Sequence, residues 1–151
     1  MKYLVSILLL LVLAACGAEP EQNKKEKQLS EFPAHLDAEK MSKGKKIYRQ
    51  YCSACHQADG QGAMGLNPPL VDTKYVLGDT KSLIMVVLNG FSGEEIEVKG
   101  EIYGGIMPPH DFLSDTEIAN LLTYIRNSWG NEASEVIVDE VKLTRAQNEG
   151  T

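Results

Sequence analysis

The residues best suited to chemistry lie in one pentapeptide, Cys52-Ser53-Ala54-Cys55-His56. A C-x-x-C-H sequence is the attachment site for c-type haem. The two thiols form thioether bonds to the porphyrin vinyl groups, and the histidine then lies under the ring with a nitrogen aimed at the iron. Two intervening residues at a helix end bring both sulfurs to one edge of the ring. The pentapeptide therefore predicts one covalent haem c on Cys52 and Cys55, with His56 as an iron ligand.

Other uses of a C-x-x-C pair fit the chain less well. A dithiol redox site requires a βαβ context, and no such alternation is visible. A zinc site requires a second C-x-x-C or H-x-x-H pair, which the sequence does not contain. A structural loop that carries this pattern by chance is the remaining alternative.

The iron has a second axial position, and Met107 is the predicted ligand for it. Gly104 and Gly105 precede this methionine and two prolines follow it. Pro108 biases Met107 away from helical dihedral angles, so its thioether would sit on an extended segment. Met64, in a glycine-rich loop, and His110 remain as alternatives, although we expect His110 to be a surface residue near the haem edge.

The first residues form a processing segment. Lys2 precedes an apolar run from Leu4 to Leu13, which is shorter than the ~20 residues of a transmembrane helix and typical of a signal peptide. Leu13-Ala14-Ala15-Cys16 resembles the lipobox of bacterial lipoproteins. This resemblance implies that residues 1–15 are removed, that Cys16 carries the lipid, and that the protein is anchored to a membrane of the bacterial cell envelope, outside the cytoplasm. It also accounts for the third cysteine, which the haem leaves unused.

The rest of the chain divides into three parts. Residues 16–36 have few apolar side chains and are predicted to be a flexible linker. Residues 37–130 form the predicted haem domain, and residues 131–151 form a C-terminal extension with a short helix over about 139–146.

The net charge of the chain is −6, which argues against nucleic acid as a partner. It is compatible with a partner that presents a basic face, or with solubility alone.

Local patterns predict the elements that position the pentapeptide. A helix begins at Asp37 and has Gly44 where another helix approaches closely. The capping box at Ser114 and Glu117 begins that partner helix, predicted to continue to Trp129 and to end at Gly130, with Tyr124 crossing Gly44. The remaining predictions are a helix from about Asp79 or Thr80 to Asn89 and an irregular loop over 57–78. Ile96–Tyr103 alternates around Lys99-Gly100, which predicts a small hairpin or two extended segments.

In this order the motifs resemble those of class I c-type cytochromes. The resemblance covers roughly residues 37–130 and includes the Pro68-Pro69-Leu70 stretch. It implies an all-α cytochrome c fold, with three to five short helices wrapped around one covalent haem and a small hairpin before the methionine. It also implies that the Pro68 carbonyl accepts a hydrogen bond from the ligand histidine and that Leu70 contacts the haem.

The segments around Val98-Lys99-Gly100, Met107-Pro108-Pro109 and Asn127-Ser128-Trp129-Gly130 are similar to those of single-haem subunits that serve quinoprotein dehydrogenases, copper nitrite reductases and haem–copper oxidases. This resemblance implies a one-electron carrier rather than an enzyme, with a redox protein as donor and another as acceptor. Two alternatives are a haem enzyme or gas sensor with a labile sixth ligand, and a fixed subunit of a larger oxidoreductase complex.

Overall fold

The part of the chain that the structure describes is mostly helical, as the sequence predicts, with one hairpin between its fourth and fifth helices. The computed structural model describes residues 35–149. No helix in that range is both long and apolar enough to cross a membrane. The elements in chain order are α1 Ala38–Tyr51, α2 Ser53–His56, α3 Lys74–Leu77, α4 Thr80–Asn89, β1 Ile96–Val98, β2 Glu101–Tyr103, α5 Asp115–Arg126 and α6 Val138–Glu149.

Side-chain caps begin three of the helices where the sequence places them. Asp37 accepts hydrogen bonds from the backbone N–H groups of Glu39, at 2.8 Å, and Lys40, at 3.2 Å, at the start of α1. The Asp79 carboxylate accepts the N–H of Ser82 at 2.8 Å in α4. In α5 the capping box of Ser114 and Glu117 is complete. Each cap satisfies N–H groups that have no partner within their own helix, which is why these boundaries are readable from sequence.

The closest helix crossing lies at Gly44, as predicted. A Cβ atom placed on Gly44 would overlap the Asn120 carbonyl oxygen and lie 2.6 Å from the Cβ of Tyr124. Only a residue without a side chain lets α1 and α5 approach this closely. On α5 every residue over positions 118–126 is buried, so this helix is the centre of the core and fixes the position of α1.

Helix α5 ends at Arg126, so the prediction that it continues to Trp129 is wrong. Asn127 caps it, and the side chains of Asn127 and Asn131 donate to the carbonyls of Thr123, at 3.0 Å, and Ile125, at 2.9 Å. These bonds satisfy the terminal carbonyls that further helical turns would otherwise use. Trp129 then adopts a positive φ of 57° and turns its indole ring back toward the core.

The last helix is longer than predicted and packs on α4 and α5. Its Val141 is fully buried, as is Val136 just before it. Arg145 donates to the Asp115 carboxylate at 2.7 Å and to the Leu113 carbonyl at 2.6 Å. Asn148 exchanges two amide hydrogen bonds with Asn89 on α4. These contacts with distant residues hold helical turns that local propensity does not predict.

The hairpin forms at the predicted position. β1 and β2 pair antiparallel, with Ile96 opposite Tyr103 and Val98 opposite Glu101. Lys99 and Gly100 form the turn with positive φ values of 54° and 84°, as two-residue hairpin turns require. Val98 and Tyr103 are buried, whereas Glu97 and Ile102 are exposed.

We expect Gly44→Ala to destabilise the haem-loaded protein by ~2 kcal/mol, because the new methyl group overpacks the α1–α5 crossing. Helix propensity alone predicts the opposite, a stabilisation of about 1 kcal/mol. Gly104→Ala is the control, since its Cβ would lie 3.7 Å from the Glu95 side chain, an ordinary contact. Urea unfolding followed by circular dichroism measures both, and a Gly44→Ala protein as stable as the wild type would contradict the close crossing.

Candidate functional site

The C-x-x-C-H pentapeptide forms a single turn that continues from α1. The Cys52 N–H donates to the Tyr48 carbonyl at 2.9 Å, and the N–H groups of Cys55 and His56 donate to the Cys52 carbonyl at 3.1 and 2.9 Å. Both thiols and the imidazole therefore belong to one hydrogen-bonded unit. Cys52 is half-buried against the core, and Cys55 is exposed.

The His56 side chain is held by the loop that follows it. Its Nδ1 lies 3.0 Å from the Pro68 carbonyl oxygen, and because a carbonyl only accepts, Nδ1 carries the proton and Nε2 keeps a lone pair. Burial lowers the pKa of His56, the hydrogen bond to Pro68 acts in the opposite direction, and the nearby His110 lowers it further. The imidazole is thus neutral and oriented, which is the state that binds iron.

An aromatic group fixes the backbone just after His56. The Tyr48 hydroxyl donates to the Gln57 carbonyl at 2.5 Å, and Gln57 has a positive φ of 64°. The Trp129 indole donates to the Ala58 carbonyl at 3.2 Å, and its ring centroid lies 5.0 Å from that of Tyr48. The sequence predicted Trp129 as the last residue of a helix and did not indicate this role, for which no local pattern is diagnostic.

Met107 is held on an extended segment against the end of α4. It exchanges two backbone hydrogen bonds with Phe91, at 2.8 and 2.9 Å. A Cβ atom on Gly90 would overlap the Met107 carbonyl oxygen, so this glycine allows the close approach. The Met107 side chain is half-buried and packs against the hydrophobic core.

The loop that binds His56 and the segment that carries Met107 touch each other. A Cβ atom on Gly105 would overlap the Leu66 carbonyl oxygen and lie 3.3 Å from the Asn67 side-chain oxygen. Leu70, the other residue of this loop expected at the haem, packs partly buried against the core. The structure therefore brings the Pro68 loop and the Met107 segment together. Cys16 lies outside the described residues.

The two alternative iron ligands differ in placement. The Met64 side chain is 81 % exposed and points into solvent. His110 is only 8 % exposed, so the expectation that it lies on the surface is wrong. It is buried because its backbone N–H donates to the Val87 carbonyl at 2.9 Å and its imidazole ring packs beside the rings of Tyr51 and Phe112. Its Nδ1 has no hydrogen-bond partner among the described residues.

The thiols have the chemistry of haem attachment rather than that of a dithiol or metal site. Burial, and to a smaller extent the neighbouring Cys55, raises the pKa of Cys52 to about 12, whereas the reactive thiol of a dithiol redox motif has a lowered pKa. Within residues 35–149, no three His, Cys, Asp or Glu side chains are grouped so that they could hold a metal ion. Two free thiols beside one neutral, oriented imidazole fit a covalent haem.

Comparison with known proteins gives the same result. Residues 41–129 match the family described as cytochrome c. Cytochrome c-552 of Thermus thermophilus is 41 % identical over 114 residues, which cover 69 % of this chain and 85 % of that protein. The CcoP subunit of the cbb3-type cytochrome c oxidase of Azospirillum sp. is 32 % identical over 64 % of this chain and 31 % of the subunit. The cytochrome c subunit of the quinone alcohol dehydrogenase of Gluconobacter oxydans is 28 % identical over 60 % of this chain and 19 % of the subunit.

These matches confirm three predictions made from the sequence. The resemblance to class I c-type cytochromes is correct. The helices and the small hairpin form a cytochrome c fold. The cofactor is covalent haem c, for which Cys52 and Cys55 have the required spacing.

We expect Gly62→Ala to raise the reduction potential of the haem-loaded protein. Its Cβ would overlap the Asn67 carbonyl oxygen and lie 2.7 Å from the Pro68 oxygen, which displaces the acceptor of the His56 proton. A weaker bond at Nδ1 makes His56 a poorer donor to oxidised iron.

Gly65→Ala is the matched control for this test. Gly65 also has a positive φ, 73°, but no described atom beyond its two chain neighbours lies within 4 Å of a Cβ placed there. Both variants carry the same ~1–2 kcal/mol of backbone strain, and only Gly62→Ala disturbs Pro68. Spectroelectrochemical titration measures the reduction potential of both variants. Equal potentials would show that the hydrogen bond to Pro68 does not change the strength of His56 as an iron ligand.

Proposed function

The chain belongs to the cytochrome c family, and on that premise we propose that it carries single electrons between two redox proteins while lipid-anchored to a membrane of the bacterial cell envelope. The observation that carries this proposal is the His56 Nδ1 to Pro68 oxygen distance of 3.0 Å. It leaves Nε2 without a proton, on the same turn that carries the two thiols. The donor set is thus prepared for covalent haem with a fixed histidine ligand.

Each site residue has a role in this proposal. Cys52 and Cys55 would form the thioether bonds to the haem, and His56 and Met107 would be the ligands of its iron. The Pro68 carbonyl keeps the Nδ1 proton, and Leu70 provides an apolar contact. Bound haem c supplies an iron that exchanges one electron reversibly, at a potential that a methionine ligand raises.

The way in which Met107 is held favours a carrier over a haem enzyme or a gas sensor. An enzyme or sensor needs a sixth ligand that leaves the iron easily. The Met107 backbone is fixed on one side by two hydrogen bonds to Phe91 and on the other by two consecutive prolines. A ligand held in this way would stay bound in both oxidation states, which suits transfer of electrons better than binding of a substrate at the iron.

The membrane anchor and the identity of the partners rest on different grounds. The lipobox-like end at Cys16 supports the anchor, and residues 16–36 then act as a tether for the haem domain at 37–130 and its extension at 131–151. An anchored domain stays at high local concentration near membrane-bound partners. The names of the relatives support an oxidase or a dehydrogenase as partner. Because the chain covers a third or less of the oxidase and dehydrogenase subunits described above, a fixed place in such a complex is the second candidate.

We expect Met107→Ala to remove the methionine methyl signal that the ring current of the haem shifts strongly upfield in the proton NMR spectrum of the reduced protein. Met64→Ala is the matched control and should keep this signal, because the Met64 side chain is exposed. Loss of the signal in Met64→Ala, or its persistence in Met107→Ala, would assign the ligand differently.

We expect Cys16→Ser to move the protein from the membrane to the soluble fraction of the cells that express it, because the lipid has no other attachment point. Ala18→Ser, two residues further along, is the control and should stay in the membrane fraction. Fractionation followed by haem staining, together with incorporation of labelled palmitate, measures both. A Cys16→Ser protein that remains in the membrane would contradict the lipid anchor.

A further inference from the structure

One side chain of the C-terminal helix α6 binds the segment that follows Met107. The Arg145 guanidinium donates from Nε to the Asp115 carboxylate at 2.7 Å. Its Nη1 donates to the Asp111 carbonyl at 2.9 Å, and its Nη2 donates to the Leu113 carbonyl at 2.6 Å. All three acceptors lie within residues 111–115, directly between Met107 and the body of α5. Arg145 therefore holds the connection that leads from the methionine into the core.

The side chain at position 145 needs to be an arginine to make these contacts. A guanidinium presents five N–H donors in one plane, whereas a lysine has a single nitrogen at the end of its chain. The side chains of Arg145 and Asp115 are only 21 % and 29 % exposed, so water competes less with this ion pair than with one on the open surface. Charge-assisted hydrogen bonds from a fixed guanidinium are among the strongest that a side chain makes.

Helix α6 also binds the chain on the other side of Met107. Its Asn148 exchanges two amide hydrogen bonds with Asn89, at 2.9 and 3.1 Å. Asn89 is the last residue of α4, and Phe91, two residues further on, exchanges two backbone hydrogen bonds with Met107. The segment that carries the methionine thus runs between two stretches of chain, and α6 is bonded to both of them.

The position of α6 is itself fixed by the core. Val141 and Thr144 are buried, and Arg145 and Asn148 follow them at steps of three or four residues, which places all four side chains on one side of the helix. The buried side chains fix the helix against α4 and α5, on which it packs. The guanidinium and the amide are therefore held where they meet their acceptors.

We propose that Arg145 is a positioning residue for the sixth iron ligand: by holding the segment after Met107, it keeps the methionine thioether at the iron and other ligands away. This inference rests on the proposed function, in which Met107 binds the iron, and adds the residue that keeps it bound. The match to the cytochrome c family ends at residue 129, before α6, so the match assigns no role to this helix.

The proposal predicts how readily the sixth position opens. An external ligand such as imidazole binds only to the fraction of molecules in which the methionine has left the iron, so its apparent affinity is proportional to that fraction. The bonds from Arg145 favour the closed arrangement of the segment. Their loss should therefore raise the open fraction and, with it, the apparent affinity for imidazole.

The test is a titration of the oxidised, haem-loaded full chain with imidazole, which displaces methionine and removes the weak sulfur-to-iron band. We expect Arg145→Gln to bind imidazole about ten-fold more tightly than the wild type, because three charge-assisted hydrogen bonds are lost. Arg145→Lys keeps the charge but not the planar group, and its affinity should lie between the two. An Arg145→Gln protein with the wild-type affinity would overturn the proposal.

Lys40→Gln is the matched control. Lys40 pairs with Glu135 at 2.7 Å and its side chain is 22 % exposed, so this variant loses the same charge and an ion pair of the same length. That pair joins the C-terminal extension to α1 instead of to the Met107 segment, and we expect the wild-type affinity for imidazole. Gly44→Ala is the second control, since it weakens the α1–α5 crossing without removing a bond of Arg145. A ten-fold rise in either control would show that charge or overall stability is the cause, and would overturn the proposal.

Asn148→Ala tests the other side of the segment. We expect it to bind imidazole about two-fold more tightly than the wild type, because hydrogen bonds between neutral amides are weaker than those of a guanidinium. If Arg145→Gln does not fold, Arg145→Lys and Asn148→Ala decide the question, and the wild-type affinity in both would overturn the proposal. A wild-type chain without the sulfur-to-iron band would instead contradict the assignment of Met107 in the proposed function.

Discussion

The structure depends on one hydrogen bond, from Nδ1 of His56 to the carbonyl of Pro68. A histidine that binds iron through Nε2 needs a fixed acceptor for its other proton, since that acceptor sets the tautomer, the plane of the ring and its strength as a donor. The acceptor here is a backbone carbonyl on an irregular loop, where regular secondary structure does not hold it. Much of the surrounding fold can be understood as the means by which this loop is kept in place.

Two sets of contacts hold the two ends of this bond. On the histidine side, α1 crosses α5 at Gly44, and the chain continues through the two cysteines without a break. Tyr48 and Trp129 then bind the carbonyls of Gln57 and Ala58, the residues directly after His56. On the proline side, Asn131 donates to the Leu70 carbonyl at 3.0 Å, and Gly105 lies against Leu66. Residues far apart in sequence thus fix a geometry that is local in space.

How much was predictable from sequence follows from this arrangement. Some features were predicted correctly because each depends on a few neighbouring residues or on a single missing side chain. They are the pentapeptide, the caps at Asp37 and Ser114, the turn at Lys99 and Gly100, and the crossing at Gly44. Four other features were not predicted: the end of α5, the role of Trp129, the burial of His110 and the length of α6. The end of α5 is set by the side chains of Asn127 and Asn131, which donate to carbonyls four and six residues back. Each of the other three is decided by a partner between about twenty and seventy residues away, such as the Val87 carbonyl for His110 and the Ala58 carbonyl for Trp129. A single sequence carries no local signal for such pairs.

The optical spectrum of the purified, haem-loaded wild-type chain, oxidised and reduced, with and without carbon monoxide, tests the central claim most directly. A carrier whose iron keeps both His56 and Met107 has a low-spin c-type spectrum in both states. It shows the weak sulfur-to-iron band when oxidised, and its reduced spectrum does not change with carbon monoxide. A high-spin spectrum, or rapid binding of carbon monoxide, would mean that the sixth position is open and would contradict the account of a closed, electron-carrying site.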